Sequence, residues 1–111
     1  MTFTEERNGE VLILGPSGRI DTENSEVLRG KITQVIDGGV HNLLLDFSSV
    51  TYVTSAGLRT LFMAAKRLAN LGGRLVLAGM NAQVQRILEI SGLTSALTVH
   101  STKAEALSSF R

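Results

Sequence analysis

The chain has 111 residues, of which 43% are hydrophobic and 19% are charged, and its formal net charge at pH 7 is +1. These values predict one globular domain, residues 1–111, and exclude a disordered chain. The basic residues are scattered, with Lys66-Arg67 as the longest cluster, so we expect neither a nucleic-acid surface nor a polybasic membrane patch. The absence of cysteine excludes disulfides and thiolate chemistry.

Neither a metal site nor a targeting segment is predicted. The two histidines, His41 and His100, lie far apart in the sequence and outside any cluster with metal-ligand spacing. The N-terminal segment MTFTEERNGE lacks the basic and then apolar regions of a signal peptide, and the apolar runs are too short to span a bilayer. The expected location is therefore the cytoplasm, without membrane insertion.

The chain begins with a predicted hairpin. Asn8-Gly9 is a strong turn signal between a loosely alternating segment at 2–7 and an apolar strand, VLIL, at 11–14. The following segment, GPSGRID, is predicted to be a loop.

The first predicted helix follows this loop. Asp21 or Thr22 is its expected cap, and Gly38-Gly39 ends it. Its apolar face shows helical spacing at Leu28, Ile32, Val35 and Ile36. The next apolar run, LLLDF at 43–47, predicts a strand that is covered on both faces.

Three more helices are predicted in the second half. The first ends at Gly72-Gly73 and is followed by a strand, RLVLA, at 74–78. The apolar face of this helix is expected to contain Leu58, Leu61, Phe62, Ala65 and Leu68. Asn81 is expected to cap the next helix, whose apolar face is Val84, Ile87 and Leu88. A short strand near 96–99 and a last helix with a Thr102/Glu105 capping box complete the chain.

This order, β-β-α-β-α-β-α-β-α with about four helices, predicts an α/β fold. Its sheet is expected to be mostly parallel, with the N-terminal hairpin as an antiparallel edge. In open sheets of this kind the functional crevice lies beyond the carboxyl ends of the strands. We therefore expect segments 17–22, 46–49, 53–58 and 79–82 to meet at that end.

Several catalytic classes are excluded by missing motifs. The sequence contains no GxGxxG, GxxxxGK[ST] or GxSxG motif. Ser55 has no neighbouring histidine to act as its base, which argues against a hydrolase. Asp46 follows a predicted strand, but only Asp21 could join it in holding Mg²⁺, so we expect Asp46 to hydrogen bond to a neighbouring loop.

Two adjacent hydroxyls, Thr54 and Ser55, stand at a strand-to-helix turn in the stretch YVTSAGLRTL. The simplest interpretation is that one of them caps the helix, contributing about 1 kcal/mol. Because a cap needs only one hydroxyl, the second is free to point outward. A phosphate there would meet free helix N–H groups and make the surface of Ala56, Gly57 and Leu58 strongly anionic. The pattern favours a modifiable switch that acts on partner binding.

The stretch LLLDFSSVTYVTSAGLRTL, followed by LGGRLVLAG, VQRILEISGL and a short closing helix, resembles the STAS domain. The resemblance is strongest to the bacterial anti-sigma factor antagonists and covers nearly the whole chain, including the SGRID segment. Its most specific parts are the hydroxyl-Ala-Gly-Leu helix start and Ser91-Gly92-Leu93. In that family the serine matching Ser55 is phosphorylated by a partner that is both anti-sigma factor and serine kinase.

The resemblance implies partner switching by a protein that is not an enzyme and needs no cofactor. The unphosphorylated form binds the kinase, and the phosphorylated form does not until a PP2C-type serine phosphatase restores it. The implied binding surface is Asp21, Thr54, Ser55, Ala56, Gly57 and Leu58. Many members carry Asp where this chain has Thr54, so kinase recognition is expected to differ, and Thr54 becomes a minor candidate acceptor.

Two alternatives stay open from the sequence. One is a STAS subunit of a transport complex, and the other is a ligand-sensing STAS module, neither of them controlled by phosphorylation. A monomer is expected because the protein must exchange partners. Leu58 is assigned either to the core or to the partner surface.

Overall fold

The Asn8-Gly9 turn reverses the chain between two antiparallel strands, as predicted. The computed structural model describes residues 1–92 and 97–110, and in it β1 (Phe3–Asn8) pairs with β2 (Val11–Ile20). Gly9 has a φ of +62°, a conformation that glycine adopts without a side-chain clash. Because β1 pairs with β2 alone among the described strands, it forms the expected antiparallel edge.

The predicted GPSGRID loop is wrong, because β2 continues to Ile20. Its first half, Val11 to Leu14, pairs with β3 (Asn42–Asp46), and its second half, Ser17 to Ile20, pairs with β4 (Ser49–Val53). Pro16 falls between these two registers, and Gly18 adopts a φ of +88° beside a bulge. The turn-forming residues are thus placed where the ladder is interrupted.

Strand β4 was not predicted, so the described sheet has six strands rather than five. Val50 and Val53 are buried, while Ser49 and Thr51 are exposed, which is the alternation of a strand covered on one face. Its hydrogen-bond partner is the end of β2, about thirty residues earlier in the chain. A pairing at this distance is set by the tertiary fold and not by local pattern.

The remaining elements match the predicted order. They are α1 (Thr22–Asp37), α2 (Ser55–Asn70), β5 (Arg74–Ala78), α3 (Ala82–Ile90), β6 (Thr98–His100) and α4 (Lys103–Ser108). The strand order is β1-β2-β3-β5-β6, with β4 beside the second half of β2, and every pair except β1–β2 is parallel. The α/β fold class is confirmed. Leu93 and the start of the strand predicted at 96 lie outside the described residues.

Both faces of the central strand β3 are buried, as the apolar run predicted. Leu43 and Leu45 join the large core cluster beneath α1, α2 and α3, whereas Leu44 joins a smaller cluster with Ala106 and Phe110 beneath the C-terminal helix. Helices therefore cover both faces of the sheet.

The apolar face predicted for α2 is rotated in the structure. Leu61, Ala64 and Leu68 are fully buried, but Phe62 is 45% exposed, so its predicted place on the core face is wrong. The buried face of α2 begins at Gly57, whose close approach to the sheet leaves no room for a side chain, and it continues through Leu61, Ala64 and Leu68. In the described residues, no helix has the length and apolar character needed to cross a membrane.

Candidate functional site

The junction between β4 and α2 is held by Thr54. Its backbone N–H and its side-chain hydroxyl both donate hydrogen bonds to the Ile20 carbonyl, at 3.0 and 3.1 Å. Thr54 occupies the N-cap position but makes no side-chain capping bond, so the predicted hydroxyl cap is wrong. The parallel pairing of β4 with β2 brings the Ile20 carbonyl against Thr54, and this oxygen takes the hydroxyl that would otherwise cap the helix.

Ser55, the first residue of α2, presents its hydroxyl to solvent. The side chain is exposed and makes no hydrogen bond within residues 1–92 and 97–110. The first turn of α2 contains no acidic residue. The two neighbouring hydroxyls therefore have different roles. The Thr54 hydroxyl fastens the helix to the sheet, and the Ser55 hydroxyl is accessible to a modifying enzyme.

Gly57 allows the first turn of α2 to approach the sheet closely. A Cβ atom at this position would lie 2.7 Å from Ile20 Cγ2, 2.8 Å from Val53 Cγ1 and 3.0 Å from the Ile20 carbonyl oxygen. These distances are far below ordinary carbon contacts of about 3.5 to 4.0 Å. The glycine thus has a clear packing function, and its predicted part in partner binding stays a prediction.

Ala56 and Leu58 lie on either side of Gly57 and are both half-buried. Leu58 packs against the large core cluster. Ala56 lines a groove of about 410 Å³ between α1 and α2, whose other walls include Glu26, Arg29 and Arg59. Leu58 therefore contributes to the core while part of its surface is accessible, so the two roles considered for it are compatible.

Asp21 brings the start of α1 beside the start of α2. Its carboxylate accepts a hydrogen bond from the Asn24 backbone N–H at 2.9 Å, which confirms it as the cap of α1. It directly follows Ile20, whose carbonyl binds Thr54, so the two helix starts meet at the end of β2. This places Asp21 and Ser55 at the same end of the molecule, as expected.

Asp46 lies at the end of β3, in the loop that leads into β4. Its Oδ1 accepts a hydrogen bond from the Ser48 N–H at 3.1 Å, so this bond is made within its own loop and not to the neighbouring loop that was expected, although Gly79 lies beside it. Segment 17–22 contacts segment 53–58 through Ile20 and Thr54, and segment 46–49 contacts segment 79–82 beside Gly79, while the pairing of Ser17 with Ser49 joins the first segment to the second. Within the described residues there is no cluster of three potential metal ligands.

A stripe of exposed residues on α2 was missed by the sequence interpretation. Ser55, Arg59, Phe62 and Lys66 are all exposed and are spaced by four, three and four residues, which places them along one side of the helix. We call these four residues the α2 stripe. The same spacing is visible in the sequence, but it became meaningful only once the rotation of α2 placed Phe62 outside the core.

The fold and this helix start define a class of protein. Residues 3–106 match the STAS domain, and the chain therefore belongs to the STAS domain family. The match spans all six strands and the first three helices, together with the Thr54–Ser55 junction.

Individual proteins extend the comparison. BtrV of Bordetella bronchiseptica, provisionally named an anti-sigma factor antagonist, is 31% identical over 111 residues, which cover 100% of this chain and 96% of that relative. A crystal structure of an anti-sigma factor antagonist from Mycobacterium paratuberculosis gives a TM-score of 0.90 at 24% identity, covering 99% of this chain and 93% of that chain. The Bacillus cell fate determinant SpoIIAA in its phosphorylated form gives a TM-score of 0.72 at 22% identity, covering 99% and 100%. At these identities the two structures show similarity of fold.

Proposed function

We propose that this protein is an anti-sigma factor antagonist that acts by partner switching, with Ser55 as the phosphorylated residue. In its unmodified form it binds an anti-sigma factor that is also a serine kinase, and phosphorylation of Ser55 abolishes that binding. A PP2C-type serine phosphatase returns it to the unmodified form. The whole chain, residues 1–111, acts as one cytoplasmic STAS domain without catalytic activity or cofactor of its own.

The observation that carries this proposal is the division of roles between the two hydroxyls. The Thr54 hydroxyl is half-buried and donates to the Ile20 carbonyl, so its modification would break the attachment of α2 to the sheet. The Ser55 hydroxyl is exposed and makes no hydrogen bond in the described part of the chain. Ser55 is therefore favoured over the minor candidate Thr54. The naming of the relatives as anti-sigma factor antagonists supports the regulatory role.

The chemistry requires little from this chain. The Ser55 Oγ attacks the γ-phosphorus of ATP held by the kinase, the bond from that phosphorus to the ADP oxygen breaks, and the hydroxyl proton passes to a base of the kinase. The product carries about −1.5 to −2 charges beside the positive end of α2, which a helix start tolerates. The folded structure is therefore retained while the surface around the first turn of α2, residues 54–58, becomes anionic. We call this turn the head of α2.

The remaining predicted contacts surround Ser55 and form the proposed binding surface. Asp21 caps the adjacent helix, and Ala56 lies in the groove between the two helices. The accessible part of Leu58 adds apolar area, and Gly57 holds the helix start at the required depth. A phosphate at their centre would oppose association by charge and by bulk.

Mass spectrometry of the protein from its native cells tests this proposal, with and without phosphatase treatment. We expect a single phosphoryl group, removable by phosphatase and mapped to Ser55. In pull-down experiments, Ser55→Ala is expected to retain the kinase, whereas Ser55→Asp binds it more than about tenfold more weakly because the new carboxylate places a negative charge at the centre of the proposed binding surface.

Ser108→Asp is the matched control, because Ser108 is also exposed but lies on α4, on the opposite face of the sheet. It is expected to bind like the unmodified protein. Equal binding of Ser55→Ala and Ser55→Asp, or no phosphate at Ser55 in any growth condition, would contradict the proposal. Either result would favour the transport-subunit or ligand-sensing alternative.

A further inference from the structure

Helix α2 carries an unbalanced positive charge on its exposed side. Its sixteen residues contain Arg59, Lys66 and Arg67 but no aspartate or glutamate. Arg67 pairs with Asp37 at 3.2 Å, whereas Arg59 and Lys66, both in the α2 stripe, form no ion pair within residues 1–92 and 97–110. Arg59 is the closer of these two cations to Ser55 along the stripe.

We propose that Arg59 binds the phosphate group of phosphorylated Ser55, so that modification adds negative charge and at the same time removes Arg59 from the surface offered to partners. This inference rests on the proposed function, because it assigns a second residue to the same switch. Arg59 is a positioning residue in this scheme, and the reacting atoms belong to Ser55 and the kinase.

The helical spacing supports this contact. Residues four positions apart on a helix lie on one side, with their Cβ atoms about 6 Å apart. Both side chains are exposed, so the guanidinium can turn toward the head of the helix without leaving a buried position. A guanidinium presents N–H donors in a planar fork that matches two phosphate oxygens, which makes arginine suited to this contact.

Four charged groups on neighbouring elements each make a contact of their own. Glu26 and Arg29, across the groove on α1, form an ion pair at 3.6 Å. The Asp21 carboxylate accepts from the Asn24 N–H, and Arg19 stacks over the Tyr52 ring. Arg59 is favoured over these cations because it shares one side of α2 with Ser55 and forms no ion pair within residues 1–92 and 97–110.

This contact would give the switch two distinguishable surfaces. Unmodified, the α2 stripe presents two cations around an exposed Phe62, which suits an acidic partner surface. Modified, it presents an anionic phosphate with Arg59 held against it, and only Lys66 stays available. The charge presented to a partner changes sign at the head of the helix while the fold is retained.

The test is a ³¹P NMR pH titration of the full chain with phosphoserine genetically encoded at position 55. A cation held beside the phosphate stabilises its dianion and lowers its second pKa from the usual value of about 6. Arg59→Gln is expected to raise that pKa by roughly 0.2 to 0.4 pH units, given the strength of exposed pairs four residues apart. Arg59→Lys should retain most of the lowering.

Lys66→Gln is the matched control, because it removes the same charge from the same stripe but eleven residues from Ser55. It should leave the pKa of the phosphate nearly unchanged. Equal pKa values in the parent chain and Arg59→Gln would overturn the inference, and so would an equal rise in both glutamine variants. Because the phosphoserine is encoded, this result is independent of any kinase, whereas failure of the proposed function would appear in the protein from native cells.

Discussion

Replacing Gly57 with alanine tests whether close packing places the head of α2. The added Cβ would lie 2.7 Å from Ile20 Cγ2 and 2.8 Å from Val53 Cγ1, so the helix start or both side chains must move. Overpacking of this kind costs about 1 to 3 kcal/mol, and removing a glycine from a helix returns about 0.5 to 1 kcal/mol. Because two contacts lie below 3.0 Å and a third is with a backbone oxygen, we place the cost at about 2 to 3 kcal/mol and expect a net loss of about 1 to 2 kcal/mol in the free energy of unfolding.

Gly30→Ala provides a matched control on the neighbouring helix. Gly30 lies inside α1, is exposed, and has no atom within 4 Å of the position of an added Cβ. The same substitution there should raise stability by about 0.5 to 1 kcal/mol, because alanine loses less backbone entropy than glycine.

Urea denaturation and thermal melting measure both variants. For a domain of this size the loss in Gly57→Ala corresponds to a decrease in Tm of roughly 4 to 8 °C, whereas Gly30→Ala should melt higher than the parent protein. If Gly57→Ala were as stable as Gly30→Ala, the conclusion that Gly57 is required by the approach of α2 to the sheet would be wrong.

Two further substitutions separate fastening from packing at the same junction. Thr54→Val removes the hydroxyl that donates to the Ile20 carbonyl, while the backbone N–H of residue 54 still donates to that oxygen. We expect the free energy of unfolding, measured by urea denaturation, to fall by about 0.5 to 1.5 kcal/mol. An unchanged free energy of unfolding would mean that the hydroxyl does not fasten the helix. Leu58→Ala truncates a half-buried side chain and should lower the free energy of unfolding by about 1 to 2 kcal/mol, less than the 2 to 5 kcal/mol of a fully buried leucine. It should also weaken binding to the kinase. Unchanged stability would assign Leu58 to the surface alone.

Local pattern was sufficient for the helices and for the central strands. The helical spacing of Leu28, Ile32 and Val35 predicts α1, and the run LLLDF predicts a doubly covered β3, because burial on one side or on both sides leaves a different period in the sequence. The caps Asp21 and Asn81 were also predictable, since a short polar side chain before an apolar period binds N–H groups only a few residues away.

Long-range pairing decided what local pattern could not. The GPSGRID segment contains strong turn formers, yet it forms a strand because β1 and β4 flank it and because Pro16 and Gly18 fall at breaks in the ladder. The same pairing supplies the Ile20 carbonyl that takes the Thr54 hydroxyl. Tertiary hydrogen bonding thus prevailed over both turn propensity and capping propensity.

The sequence by itself determined the fold class, the order of the helices and the presence of two hydroxyls at one helix start. Only the tertiary structure decided which hydroxyl is engaged and which is exposed. The packing of α2 on the sheet, closest at Gly57, likewise decided the rotation that places Arg59 and Phe62 outside with Ser55. The physical reason is that periodicity reports which residues can share a face, whereas the contacts of distant strands determine how that face is oriented.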